Sequence, residues 1–128
     1  LAPNRLGEDI SVPRSQFPEV VRRIKGISEK HGLTIAVFGH AGDGNLHPSV
    51  LCDLADPADA ERAHRAVDDI FEAALAVGGT LSGEHGIGIT KKPYIVQAMG
   101  EAVVKTMKMI KQAFDPKGIM NPGKIWEE

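Results

Sequence analysis

The sequence predicts an α+β fold: a ferredoxin-like β-α-β-β-α-β antiparallel sheet, followed by C-terminal helices and an extended tail. Two stretches, 16–31 and 58–77, repeat apolar residues at three- and four-residue spacing, and each is closed by glycine. Between them lie two strand-like runs joined through Asp43-Gly44, a dipeptide suited to hairpin turns. A short alternating run precedes the first helix and another follows the second. Helix, hairpin and helix flanked by strands in this order place both helices on one face of a single sheet.

Residues 1–6 read as a frayed or linking segment. Glu8-Asp-Ile-Ser-Val-Pro13 alternates around Ile10 and Val12 as a strand that Pro13 ends. Ser15 is the expected N-cap of the first helix, whose stripe is Phe17, Val20 or Val21, Ile24 and Ile27, with Gly32 at its C-terminal stop. The hairpin arms are 33–40 and 46–54. Asp56-Pro57 opens the second helix, with Ala63, Val67, Ile70, Ala74 and Val77 on its apolar side and Gly78-Gly79 at its end. Thr80-Leu-Ser82 is the fourth strand. A helical stretch after Lys91-Lys-Pro93 breaks at Gly100, resumes over 101–114 and gives way to a turn at 115–118. Pro122 and Gly123 keep the final segment extended.

The 128 residues suit one domain, 1–128, with a single modest core. A net charge of −2 gives no electrostatic footprint for nucleic acid or an anionic membrane. There is no apolar run of membrane-span length and no signal-peptide pattern. The expected location is therefore cytoplasmic, or peripheral to the inner face of a membrane. The lone Cys52 excludes an internal disulfide and reads as a buried thiol. Leu1 in place of an initiator Met, and the lack of a nucleotide-binding motif, fit a piece of a larger protein.

If Asp43 and Gly44 are the two turn residues, counting outward sets His40 opposite His47 on one face. Two imidazoles so placed converge on a metal ion, or simply cap a polar hairpin end, or one of them is buried and hydrogen-bonded. A catalytic metal site needs a third protein ligand and an open position. Glu84, in Ser82-Gly-Glu-His-Gly-Ile-Gly88, is the natural candidate, with His85 directed at a substrate beside it; a solvated surface loop explains the same residues equally well. Gly83, Gly86 and Gly88 permit tight turns and close approach. His31 and His64 read as structural, and Lys91-Lys92 as solvated charge with room for a substrate carboxylate. Alternation puts Ile35, Val37, Leu46, Val50 and Cys52 toward the helices. It puts Phe38, His40, His47, Ser49 and Leu51 on the opposite face, which another domain should cover.

The motifs FGHAGDGNLHP (38–48), GGTLSGEHGIG (78–88) and FDPKGIMNPGK (114–124), with EDISVP (8–13), resemble the C-terminal domain of FAD-linked oxidases. The similarity is to the D-lactate dehydrogenase, glycolate oxidase flavin-subunit and D-2-hydroxyglutarate dehydrogenase type and covers nearly the whole chain. It implies an FAD-binding domain elsewhere in the same parent protein, closing over this one. It implies that His40, His47 and Glu84 ligate a divalent metal, zinc first with iron and manganese open, and that His85 is the catalytic base. It further implies that Asn121 approaches the flavin; Ser49 stands where some relatives place a flavin-contacting Asn.

The expected function is then that of the substrate and metal half of an FAD-dependent dehydrogenase, oxidising a D-2-hydroxy acid (D-lactate, glycolate or 2-hydroxyglutarate type) to the 2-oxo acid. The fragment alone is expected to be inactive. The alternative is a stand-alone ferredoxin-like metal- or ligand-binding regulatory module, forming a homodimer through its exposed sheet face.

Overall fold

A computed structural model describes residues 2–126. The chain forms two compact units, residues 1–85 and 86–128.

In the first unit the elements run β1 (Asn4–Gly7), β2 (Ile10–Ser11), α1 (Phe17–His31), β3 (Thr34–His40), β4 (Asn45–Cys52) and α2 (Pro57–Leu75). Strand β4 is central and every pairing is antiparallel. On one side it pairs with β3, from Thr34↔Leu51 to His40↔Asn45. On the other it pairs first with β1, from Asn4↔Cys52 to Gly7↔Ser49, and then with β2 through Ile10↔Leu46 and Ser11↔Asn45. The two short strands keep one register, so the same count sets Asp9 opposite His47.

The chemistry of alternation divides the sheet as expected. Leu46, Val50 and Cys52 are buried on one face with Ile10, against the apolar sides of the two helices. Helix α1 contributes Val20, Ile24 and Ile27, and α2 contributes Ala63, Ala66, Val67, Ile70, Phe71, Ala73 and Ala74. Small alanines let α2 lie close to α1 and the sheet, while Phe71, fully buried, fills the remaining volume. Lys30 and His31 at the end of α1 each reach Asp69 Oδ2 of α2 at 2.7 Å. Gly32 stops α1 in the left-handed conformation at φ 63°, and the Asp56 carboxylate accepts from the Ala58 amide at 3.0 Å to cap α2.

Four sequence expectations change. Asn4–Gly7 is a strand rather than a linking segment, because its backbone completes the free edge of β4. The expected 8–13 strand keeps only Ile10–Ser11 in ladder form. Ser15 does not cap α1; it sits in a 3-10 turn, Arg14–Gln16, that leads into Phe17 without a side-chain cap. The fourth strand shrinks to one antiparallel bridge, Ser11↔Thr80, with Thr80 N–H donating to Ser11 O at 2.7 Å. The ferredoxin-like strand order survives in this reduced form.

The hairpin register also differs. His40 faces Asn45, and His47 faces Phe38. A two-residue type I′ turn needs positive φ at both central residues, but Asp43 does not adopt it, whereas Gly44 does at φ 75°. The loop is Ala41–Gly44, closed by the Asp43 amide on His40 O at 2.9 Å. Gly44 is also pinned from below: its carbonyl accepts from the Val12 amide at 2.9 Å, and a Cβ there would stand 2.1 Å from Val12 O.

In the second unit, helix α3 (Ile95–Met99) breaks at Gly100, φ 79°, and α4 (Glu101–Phe114) resumes, as the sequence predicts. The Asp115 carboxylate organises the turn that follows, accepting from Lys111 Nζ, from the Met120 amide at 2.9 Å and from the Ile119 amide at 3.0 Å. These donors, Lys111 foremost, hold its carboxyl below the usual range. Among the described residues no helix is long and apolar enough to cross a membrane. Cys52 is buried, as expected, and burial pushes its thiol up.

Candidate metal centre

The sheet face away from the helices presents Phe38 and His40 from β3 and Asn45, His47 and Ser49 from β4. Because His47 sits on the central strand, its neighbours shield it; its side chain is 10% exposed against 59% for His40. Its ring lies 5.6 Å from that of Phe38, 5.6 Å from that of His40, edge-on, and 5.3 Å from that of His85, stacked. The changed register does not separate the histidines. His40 now lies diagonally from His47 rather than opposite it, and diagonal neighbours share a face.

The loop after Thr80 delivers the remaining groups. The Asp9 carboxylate, fully buried, accepts at Oδ2 from Ser82 Oγ at 2.6 Å and from three successive amides, Gly83 at 3.0 Å, Glu84 at 3.0 Å and His85 at 2.9 Å. Burial alone would raise this carboxyl, but the Ser82, His85, Glu84 and Gly83 donors outweigh it and hold it far below the usual range. With consecutive amides drawn to one oxygen the loop cannot be a strand. Glu84 and His85, which would diverge on a strand, instead come together with His85 Nε2 3.8 Å from Glu84 Oε1. Gly83 gives room at the crossing, since a Cβ there would stand 2.6 Å from the Asn45 side chain and force it to move.

His40, His47 and Glu84 each offer a ligand atom, and the three atoms lie within 4.8 Å of one another. Glu84 Oε1 is 3.1 Å from His47 Nε2 and 3.9 Å from His40 Nε2. Zinc at about 2.1 Å from each of three tetrahedral ligands separates them by roughly 3.4 Å. The donor set therefore fits one divalent ion after a small swing of the exposed His40 ring. Behind His47, Asp9 Oδ1 is 4.0 Å from Nδ1 and so lies on the ring edge away from Glu84. A cavity of about 510 Å³ opens over the cluster, lined by Arg5, Gly7, Glu8, Phe38, Gly39, His40, His47, Ser49, Glu84 and His85.

The structure thus brings His40, His47, Glu84 and His85 together. Asn121 belongs to the second unit, exposed at φ 49° in a depression lined also by Lys108, Lys111, Lys124 and Trp126. Lys91, expected as solvated charge, is buried. His31 on Asp69 and His64 on the Ala60 carbonyl, both at 2.7 Å, are structural as anticipated. Sequence reasoning missed Asp9 as a site residue. The signal was an acid inside the strand-like pattern, on the face opposite Ile10.

The sequence pattern of the family described as "FAD linked oxidases, C-terminal domain" matches residues 2–125. The chain belongs to that family. Among curated relatives of this FAD-linked oxidase domain is the glycolate oxidase subunit GlcD of Bacillus subtilis, 44% identical over 126 residues, 98% of this chain and 27% of that protein. The mitochondrial D-lactate dehydrogenase (cytochrome) 1 of Saccharomyces cerevisiae is 43% identical over 119 residues, covering 93% and 20%. GlcD of Escherichia coli is 38% identical over 124 residues, covering 97% and 25%. The chain spans about a quarter of the length of these relatives. A solved structure of 4-ethylphenol oxidase from Gulosibacter chungangensis shares the fold at a TM-score of 0.67 and 24% identity, over 97% of this chain and 24% of that one.

Proposed function

We propose that this chain is the substrate and metal half of an FAD-dependent dehydrogenase that oxidises a D-2-hydroxy acid, of the D-lactate, glycolate or 2-hydroxyglutarate type, to the 2-oxo acid. The observation that carries the reading is the convergence of His40, His47 and Glu84 in one cavity with His85 at its rim. Family membership and the names of the relatives support FAD as the redox partner, carried by an FAD-binding domain of the same parent protein.

His40, His47 and Glu84 would hold the metal, a set that suits zinc and also accommodates iron or manganese. When bound, a divalent ion there supplies Lewis acidity that lowers the pKa of a substrate hydroxyl. His85, 57% exposed and outside the ligand triad, takes the hydroxyl proton on its imidazole. As the O–H bond gives its electron pair to the new C=O bond, the carbinol C–H bond breaks and its hydrogen leaves with the electron pair. FAD, when bound, supplies the acceptor for that hydride. Asn121, in the second unit, would provide a contact from this chain to the flavin. Phe38, beside His47, keeps one wall of the cavity apolar.

The test uses the full-length protein. It should contain about one divalent ion per chain, and anaerobic addition of D-lactate, glycolate or D-2-hydroxyglutarate should bleach its flavin. His47→Ala should lose the metal and the bleaching together while retaining flavin. Unchanged metal content in both His40→Ala and His47→Ala would sink the ligation scheme.

A further inference from the structure

We propose that Arg5 is the residue of this chain that grips the substrate's carboxylate, its planar fork taking a carboxylate attached directly to the carbinol carbon. The inference rests on reading the cavity as a 2-hydroxy-acid site and adds the group that selects an acid over a neutral alcohol.

The register places Arg5 on the same face as the metal-binding cluster. Arg5 pairs with Leu51 and Gly7 with Ser49, and the next step of the same count sets Asp9 opposite His47. The Arg5 side chain does not stand up from its own row but lies along the strand over Gly7. A Cβ built on Gly7 would meet Arg5 Nη2 at 3.3 Å, Nε at 3.4 Å and Cζ at 3.5 Å, so the whole guanidinium covers that glycine. Rows on one face of a strand are about 6.8 Å apart. The fork is therefore carried one row toward His47 and stops about one row short of it.

That gap matches a small hydroxy acid. Hydroxyl and carboxylate oxygens on neighbouring carbons are separated by roughly 3 Å, and a charge-assisted N–H···O bond adds about 2.8 Å. An acid with its hydroxyl at the His47–His85 end then presents its carboxylate to the fork.

The charge of Arg5 is available for this task. Arg22, Arg23, Arg62 and Arg65 are each held by a carboxylate one helical turn away. Arg5 has neither an ion pair nor a hydrogen bond among the described residues, and it is the one Arg or Lys among those lining the cavity. A guanidinium binds a carboxylate with two parallel N–H···O bonds, a geometry that lysine does not reproduce.

The experiment compares wild type, Arg5→Ala and Arg5→Lys in the full-length protein, with D-lactate, its neutral amide lactamide, and pyruvate as a non-oxidised binding probe. Arg5→Ala should raise the KM for D-lactate and weaken pyruvate binding by about 10- to 100-fold, with flavin and metal content unchanged. Arg5→Lys should recover part of the loss, and any turnover of lactamide should be the same in all three proteins. An unchanged KM for D-lactate in Arg5→Ala overturns the assignment while leaving the metal site intact. Loss of flavin from Arg5→Ala also overturns it, because the fork then serves a flavin phosphate. A wild-type protein that oxidises no 2-hydroxy acid overturns the functional reading itself, and this proposal with it.

Discussion

Asp9 and His85 are joined by a 2.9 Å hydrogen bond from the His85 amide to Asp9 Oδ2, across 76 residues of sequence. Through it, and through the matching bonds from Gly83 and Glu84, one buried carboxylate sets the position of a proposed metal ligand and of the proposed base. Asn in place of Asp9 removes the charge that several donors share and turns part of the acceptor into a competing donor. Leaving even one buried donor without its partner costs about 1–3 kcal/mol. Asp9→Asn should lower the urea midpoint accordingly, and outer-shell partners of metal ligands typically matter 10- to 100-fold in metal affinity, roughly the loss expected here. An unaltered midpoint together with unaltered metal affinity would remove Asp9 from this role.

His85 is separable from the proposed metal ligands. Its ring stacks on His47 at 5.3 Å, but its side chain is 57% exposed. His85→Ala in the full-length protein should therefore retain metal and flavin while turnover falls by about 10²- to 10⁴-fold, the usual span for a general base. Stopped-flow absorbance of flavin reduction measures this directly. Wild-type reduction rates in the variant would exclude proton transfer to His85.

Much of this arrangement was legible in the sequence because it depends on patterns with a physical period. The stripes through Ile24 and Ile70, the stop at Gly32 and the break at Gly100 all follow from helical spacing and left-handed glycine. The assignment of His40 and His47 to the outer face survived a wrong register because both registers preserve parity: moving the partner of His40 from His47 to Asn45 shifts it by two residues. What was not legible depends on contacts remote in sequence. The turn type was decided by Val12 pinning Gly44, not by Asp43-Gly44 itself. Asn4–Gly7 carries one apolar residue, Leu6, and is a strand only because β4 offers it an edge. Asp9 lies within a strand pattern whose ladder it interrupts, and its partners come from Ser82 to His85.

The role assigned to Gly44 is testable against a neighbouring glycine in the same loop. A Cβ at Gly44 would stand 2.1 Å from Val12 O, and the residue has φ 75°. The left-handed conformation alone costs a non-glycine residue about 1–2 kcal/mol. Gly42 lacks a positive φ, and a Cβ added there would meet no atom within 4 Å. Gly44→Ala should thus destabilise the chain by more than about 1–2 kcal/mol, whereas Gly42→Ala should stay within about 0.5 kcal/mol of wild type. Because the loop follows His40 directly, metal affinity should fall in the first variant and persist in the second. Equal urea midpoints for the two would show that Val12 does not constrain the turn.

The tie between the helices gives a pH dependence of defined sign. Burial of Asp69 by itself raises its carboxyl, but hydrogen bonds from Lys30 and His31 and their charges outweigh this and hold it below its ordinary value. The native state therefore binds fewer protons at Asp69 than the unfolded chain does. The resulting stabilisation is fully present above the unfolded carboxyl value, about 3.9, and is lost as pH falls through the lower folded value. Lys30 is 65% exposed, so the pair with Asp69 contributes no more than about 1 kcal/mol. Asp69→Asn should accordingly show its full deficit in urea midpoint at pH 5, and that deficit should shrink as the pH is taken below the ordinary carboxylate range. A deficit of the same size at pH 2.5 as at pH 5 would mean that Asp69 acts through packing rather than through its charge.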